Sequence, residues 1–189
     1  METVARARIV RVVLTGSECT GKTTLGAELA RHYGVELVPE FVRAFAEQKG
    51  GAIDFSDHRP IARGQMALED TAVARGGQLV IQDTDLLSTV VYCRHYFGHC
   101  PAWIEESAAA RRPDLYLLCA TDVEWIADGV RDRGHMRDEM QQLFSEAVRG
   151  SGTRFVHVAG SRARRLEEAT SAIDALLTRL LFLRQRERE

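Results

Sequence analysis

The chain has 189 residues, which is enough for one domain with a substantial hydrophobic core. Its 45% hydrophobic and 28% charged residues are typical of a soluble globular chain. The formal net charge of −2 gives no sign of a basic surface for nucleic acid or of a charged surface for membranes.

Hydrophobic patterning predicts strands and helices that alternate along the whole chain. Short apolar, often β-branched runs predict five buried strands, at residues 9–14, 35–38, 78–82, 115–119 and 154–158. Helical spacing, caps and breaks predict helices that end at Gly34, that end at 76–77, and that cover 87–97, 101–110, 138–148 and 163–182. Residues 40–43 begin either a helix or a turn. Residues 49–60 are predicted to form a loop, and Ser56 or Asp57 is expected to cap the next helix.

The alternation implies a parallel sheet covered by helices on both faces, in a three-layer α/β/α fold. Ligands of such sheets bind at the carboxyl ends of the strands. The segment after the first strand, Glu40, Asp83 and the loop after Val158 should therefore meet at one crevice. We expect one domain over residues 1–189, with flexible ends at 1–8 and 184–189.

Residues 16–23 read GSECTGKT and stand between the first strand and the first helix. In that context the pattern GxxxxGK[ST] is a phosphate-binding loop rather than an ordinary glycine turn. Gly16 permits a turn that is closed to most residues, and Gly21 lets the main chain approach a ligand. The loop N–H groups then converge on one point, to which the dipole of the following helix adds positive potential.

This loop predicts a site for ATP with Mg²⁺ as the cofactor. Lys22 brings a full charge to the β- and γ-phosphates, and the hydroxyl of Thr23 is a ligand for Mg²⁺. The predicted phosphate-binding residues are Gly16, Ser17, Glu18, Cys19, Thr20, Gly21, Lys22, Thr23 and Thr24.

Carboxylates follow the second and third strands. Asp83 is placed to bind Mg²⁺ together with Thr23 or to accept the proton of a substrate hydroxyl. Because Asp83, Thr84 and Asp85 compete for one helix N-cap, at least one is free for chemistry, and we predict that it is Asp83. Glu40 either contacts the acceptor hydroxyl or complements the dipole of the next helix.

Residues 128–137 read DGVRDRGHMR and predict a mobile lid. Phosphoryl transfer builds negative charge that lid arginines offset while they exclude water, and we predict Arg131 and Arg137 as the catalytic pair. The alternative is a solvated charged surface, but the segment is rich in glycine and follows a strand at the ligand end. Trp125, just before the lid, either stacks on a heterocycle, particularly a cationic one, or packs in the core or at its rim.

The cysteines and the apolar stretches bear on location. Cys19, Cys93, Cys100 and Cys119 form no CxxC pair, which is typical of free thiols in a reducing compartment. The spacing of Cys93 and Cys100 with the nearby histidines matches no zinc site. No apolar run is long enough to span a bilayer, and no signal peptide is recognisable. We predict a cytoplasmic protein without nucleic-acid or membrane partners, and a homo-oligomer is left open.

Four segments occur in an order that resembles the ribosylnicotinamide kinase domain of the NadR proteins: GSECTGKT at 16–23, EFVR at 40–43, DTD at 83–85 and WIADGVR at 125–131. The resemblance runs from about residue 9 to 148 and on toward the last helix. It implies a P-loop fold of the nucleoside and nucleotide kinases, and ATP-dependent phosphorylation of the 5′-hydroxyl of nicotinamide riboside to nicotinamide mononucleotide. It also implies an acceptor site that contains Glu40, Arg43, Asp83, Asp85 and Trp125.

The sequence departs from the longer NadR proteins, because no adenylyltransferase domain precedes residue 9 and no helix-turn-helix region is recognisable. A bifunctional or regulatory role is therefore not carried over from NadR, and we expect a stand-alone kinase domain. Two alternatives stay open at this point. One is a kinase for another nucleoside or nucleotide, and the other is a regulatory P-loop ATPase. The lid arginines favour a kinase.

Overall fold

Five parallel strands form the sheet, in the order β2-β3-β1-β4-β5. The computed structural model describes residues 8–123 and 136–186. The strands are β1 (Val10–Thr15), β2 (Leu37–Val38), β3 (Leu79–Asp83), β4 (Leu115–Cys119) and β5 (Phe155–Val158). Each lies where hydrophobic patterning predicts it, and the predicted α/β fold with a five-stranded parallel sheet is confirmed.

The helices of the described residues are α1 (Lys22–Tyr33), α2 (Phe41–Lys49), α3 (His58–Arg75), α4 (Leu86–Phe97), α5 (Ala102–Ala110), α6 (Arg137–Gly150) and α7 (Arg162–Arg186). The loop expected at 49–60 contains a 3-10 turn (Phe55–Asp57) and the start of α3. The cause is a reciprocal capping box, in which Asp54 accepts from the backbone of Ser56 and Asp57 accepts from the backbone of Asp54. Helix α7 continues to Arg186, three residues into the segment expected to be a flexible end.

The core lies on both faces of the sheet, because successive strand residues point to opposite sides. On one face Val12 and Leu14 are fully buried with residues of α1 and α7. On the other face Val13 and Tyr116 pack with Val148 of α6. Helices α3, α4 and α5 add a further buried cluster, which consists of Ala62, Leu86, Val90 and Ile104.

The strand register brings the carboxyl ends of four strands to one edge. Leu14 pairs with both Asp83 and Leu117, and Val38 pairs with Gln82. The phosphate loop follows β1 directly, Glu40 follows β2 by two residues, and Asp83 ends β3. These segments therefore lie at the same edge of the sheet. No helix among residues 8–123 and 136–186 is long and apolar enough to cross a membrane.

Gly64 in α3 offers a test of the packing that positions α2. A Cβ at this position would lie 2.3 Å from ring carbons of Phe41, the first residue of α2. We expect Gly64→Ala to lower the free energy of unfolding by about 1–3 kcal/mol, because the ring must move.

Gly150, the last residue of α6, is the matched control, since a Cβ there meets no atom within 4 Å. Gly150→Ala should leave the free energy of unfolding unchanged or raise it by up to about 1 kcal/mol. Urea denaturation of both variants measures the difference. If both variants changed the free energy of unfolding equally, the close approach of Phe41 to Gly64 would not be what destabilises Gly64→Ala.

Candidate active site

The phosphate loop has a backbone that only certain residues permit. Gly16 has φ +131°, and a Cβ there would lie 2.8 Å from the carbonyl oxygen of Cys119 at the end of β4. Gly21 has φ +78° and caps α1. Cys19 has φ 53°, which is uncommon for a residue with a side chain. These turns direct the loop toward the N-terminus of α1, where backbone N–H groups favour an anion.

Lys22 lies across the loop. Its Nζ donates to the carbonyl oxygens of Gly16 and Ser17, at 3.0 and 2.7 Å. The hydroxyl of Thr20 also donates to the carbonyl of Ser17, at 2.9 Å. The ammonium group is thus held at the loop itself, where the sequence predicts the phosphates.

Asp83 faces the first turn of α1. The hydroxyl of Thr23 donates to its Oδ2 at 2.5 Å. Asp83 is only 3% exposed, and its Oδ1 has no hydrogen-bond partner among the described residues. A hydroxyl and a carboxylate are oxygen ligands of the type that Mg²⁺ takes when substrate phosphates complete its coordination. The pair therefore fits the predicted magnesium site. The part of the chain that the structure describes has no cluster of three His, Cys, Asp or Glu side chains, and such a site does not require one.

Asp85 caps α4. Its Oδ1 accepts from the backbone N–H of Leu87 at 3.0 Å, and its Oδ2 accepts from the hydroxyl of Tyr116 at 2.7 Å. Burial raises the pKa of Asp85 above its usual range. The competition for the N-cap is thus decided: Asp85 caps the helix, and Asp83 is left to face the loop. Because both oxygens of Asp85 bond within the protein, its contact with the acceptor stays a prediction.

A buried ionic network lies next to Asp85. Glu69 on α3 accepts from Arg11 of β1 at 2.9 Å and from Arg111 at 3.2 Å, and Arg111 also forms two hydrogen bonds with Asp70. Burial raises the pKa of Glu69 to about 7 against the opposing effect of the two arginines. The feature of the sequence that points to this network is Arg11, because it is a charged residue inside an otherwise apolar run. The sequence alone does not identify the partners of this arginine.

Glu40 and Arg43 lie at the start of α2. Glu40 occupies the N-cap position without a side-chain capping bond, and its Oε2 lies 3.7 Å from Nη2 of Arg43. Gln65 of α3 fixes this helix end, because its Oε1 accepts from the N–H of Phe41 at 2.9 Å. The structure places Glu40 and Arg43 together at the ligand edge of the sheet, and their contacts with an acceptor stay predictions.

Arg137, one of the two predicted lid arginines, is the first residue of α6. Its Nη2 donates to the carbonyl of Cys19 in the phosphate loop at 2.8 Å. The other predicted lid and acceptor residues, Arg131 and Trp125, lie outside the described residues 8–123 and 136–186. Their roles stay predictions.

Sequence analysis missed two residues that bind the loop. Arg165 of α7 is 5% exposed, and it donates to the carbonyls of Thr20 and Ala120 at 2.7 and 3.1 Å. It also donates to Gly160 after β5 and pairs with Asp122. It belongs to an arginine-rich stretch in which spacing does not distinguish it from its neighbours.

The second missed residue is Gln141 of α6. Its Oε1 accepts from the N–H of Ser17 at 2.9 Å, and its Nε2 donates to the carbonyl of Cys119 at 3.0 Å. Lys22, Arg137 and Arg165 thus place three cationic groups against the backbone of one loop. Such an environment favours a polyanionic ligand.

A separate groove of about 870 Å³ lies between α4, α5 and α6. Leu87, Val90 and Leu143 contribute apolar surface, and Arg94 and Glu105 are among its charged lining residues. No residue of the phosphate loop lines this groove, but Tyr116 and Leu87, two partners of Asp85, do.

Comparisons with known proteins bear on this site. A family model described as an AAA domain matches residues 11–165. The trifunctional NAD biosynthesis/regulator protein NadR of Salmonella typhimurium strain LT2 is 31% identical over 153 residues, which are 78% of this chain and 37% of that protein. NadR of Escherichia coli strain K12 matches with the same identity and the same coverage. The chain thus spans 37% of the length of these curated relatives.

Comparison with solved structures also finds NadR proteins. A crystal structure of NadR protein in complex with NR has a TM-score of 0.70 at 25% identity, over 89% of this chain and 50% of that one. NadR protein in complex with NAD and AMP-PNP has a TM-score of 0.72 at 22% identity, over 87% of this chain and 48% of that one.

Thymidylate kinase from Ehrlichia chaffeensis has a TM-score of 0.59 at 16% identity, over 88% of this chain and 98% of that one, and like the second NadR structure it shows the fold alone. The predicted resemblance to NadR is confirmed by the curated relatives and by the NadR structure with NR. Because the family model matches residues 11–165, the chain belongs to the P-loop family described as an AAA domain.

Proposed function

We propose that this chain is an ATP-dependent kinase that phosphorylates the 5′-hydroxyl of nicotinamide riboside. The observation that carries the proposal is the contact between Thr23 and Asp83, which joins the phosphate loop to a buried carboxylate that has one oxygen without a partner. A kinase needs such a carboxylate next to the transferred phosphoryl group. The similarity to NadR, one structure of which contains NR, supports the choice of substrate.

Each group of residues in the site has a separate role in the proposed phosphoryl transfer. Backbone N–H groups of the loop and of the first turn of α1 bind the phosphates, and Lys22 supplies charge to the group in transfer. Thr23 and Asp83 would hold Mg²⁺, which neutralises charge on the β- and γ-phosphates when it is bound. Oδ1 of Asp83 accepts the proton of the acceptor hydroxyl, and Arg137 adds positive charge beside the loop.

Turnover assays test this proposal against its alternatives. The purified chain is incubated with ATP and Mg²⁺, together with nicotinamide riboside, uridine, cytidine or adenosine in separate reactions. We expect ADP release that depends on nicotinamide riboside, with nicotinamide mononucleotide detected by mass. Preference for a neutral nucleoside would leave a kinase with another substrate. ADP release that is indifferent to every acceptor would indicate a regulatory ATPase.

Lys22→Ala should lower kcat by about 100- to 1000-fold, since it removes charge stabilisation of the transition state. The chain has two lysines, and Lys49 is the matched control because it pairs with Asp54 away from the loop. Lys49→Ala should keep kcat close to that of the parent chain. Near-normal turnover of Lys22→Ala at saturating substrate would show that the loop is not the phosphate site, and circular dichroism confirms that the variant is folded.

Asp83→Asn should lower kcat by more than about tenfold while the KM for ATP changes less, because a proton acceptor contributes mainly in the transition state. Glu40→Gln is the companion variant, since Glu40 lies at the neighbouring strand end. If Asp83→Asn lowers only the melting temperature and Glu40→Gln lowers kcat, Glu40 is the base. Steady-state kinetics with both substrates varied decides between the two residues.

A further inference from the structure

Helix α6 contacts the phosphate loop through two side chains one turn apart. Arg137 donates to the carbonyl of Cys19 at 2.8 Å, and Gln141 accepts from the N–H of Ser17 at 2.9 Å. Residues four apart lie on one face of a helix. One face of α6 is therefore bonded to the loop at two points.

The bonds fix the orientation of the Gln141 amide. A backbone N–H only donates and a backbone carbonyl only accepts, so the oxygen must face Ser17 and the nitrogen must face Cys119. Both bonds are of normal length, at 2.9 and 3.0 Å. Gln141 thus joins the start of the phosphate loop to the last residue of β4.

The phosphate loop passes close to this amide. A Cβ at Gly16 would lie 3.2 Å from Oε1 of Gln141 and 2.8 Å from the carbonyl oxygen of Cys119. The backbone of the loop at Gly16 therefore passes directly beside the amide of Gln141. Any shift of this helix moves Arg137 as well, because Arg137 is its first residue.

We propose that Gln141 is a positioning residue for phosphoryl transfer. It anchors α6 to the phosphate loop, so that the guanidinium of Arg137 stays beside the groups that bind the phosphates. This proposal rests on the proposed function, from which the role of Arg137 is taken. If Gln141 served the fold alone, its replacement would lower the melting temperature, and the effect of replacing Arg137 would be the same with or without Gln141.

Gln141→Met tests the proposal, because methionine keeps the length of the side chain and removes both hydrogen bonds. We expect kcat to fall by about 10- to 100-fold, since small displacements of catalytic groups have effects of this size. Gln142→Met is the matched control, because Gln142 is the next residue of the same helix and is exposed. It should leave kcat, both KM values and the melting temperature unchanged. A Gln141→Met variant with a lower melting temperature and unchanged kcat would overturn the proposal.

A double-mutant cycle separates positioning from an independent contribution. If Gln141 acts through Arg137, the double variant Arg137→Met/Gln141→Met should be no slower than Arg137→Met alone. Losses that multiply would show that the two residues act independently, and would overturn the proposal.

The same double-mutant cycle can be measured without turnover, with the affinity for AMP-PNP determined by calorimetry for each variant. We expect each single variant to weaken binding several-fold and the double variant to bind no more weakly than Arg137→Met. If the parent chain phosphorylates no nucleoside but shows this coupling, the proposed function fails and the positioning of Arg137 by Gln141 stands. If the parent chain is an active kinase and the binding losses multiply, only the inference about Gln141 fails.

Discussion

The site depends on the close approach of two backbones, where the turn at Gly16 meets the end of β4. A Cβ at Gly16 would lie 2.8 Å from the carbonyl oxygen of Cys119, a distance that real Cβ atoms do not show, so the two segments meet only because this residue has no side chain. The register that pairs Thr15 with Leu118 brings them to this point. The path of the phosphate loop and the reach of α6 toward it both follow from that contact.

The loop is held mainly through its backbone. Lys22, Gln141 and Arg165 come from three different helices, and each bonds to main-chain groups of the loop. Hydrogen bonds from charged groups contribute about 1.5–3 kcal/mol each, and Arg165 donates from a nearly fully buried position. The shape of the loop therefore depends on its own Lys22 and on α6 and α7, two helices that are distant from it in sequence.

The parts of the fold and site that the sequence predicts are those with local signatures. The strands have apolar runs, and the phosphate loop has its glycines, lysine and threonine. The different contacts of Asp83 and Asp85 have only a weak local signature, because Asp83 bonds with Thr23, 60 residues away, and Asp85 bonds with Tyr116, 31 residues away, as well as with Leu87. Arg165 lies 145 residues from its partner Thr20, and hydrophobic periodicity along the sequence does not predict contacts between residues so far apart. The 3-10 turn at 55–57 was missed because the neighbouring glycines and proline outweighed the capping box in that segment.

Thr84 has φ 72°, in the left-handed region that β-branched residues rarely adopt. In a regular strand, residues 83 and 85 would point to the same face. Because the chain turns at Thr84, Asp83 meets α1 on one side of the sheet and Asp85 meets Tyr116 on the other. Two acids separated by a single residue thus belong to different layers of the protein. A substitution at Asp83 therefore disturbs the contact with α1, whereas a substitution at Asp85 disturbs the cap of α4 and the contact with Tyr116. The strained peptide at Thr84 lets the two positions be changed separately.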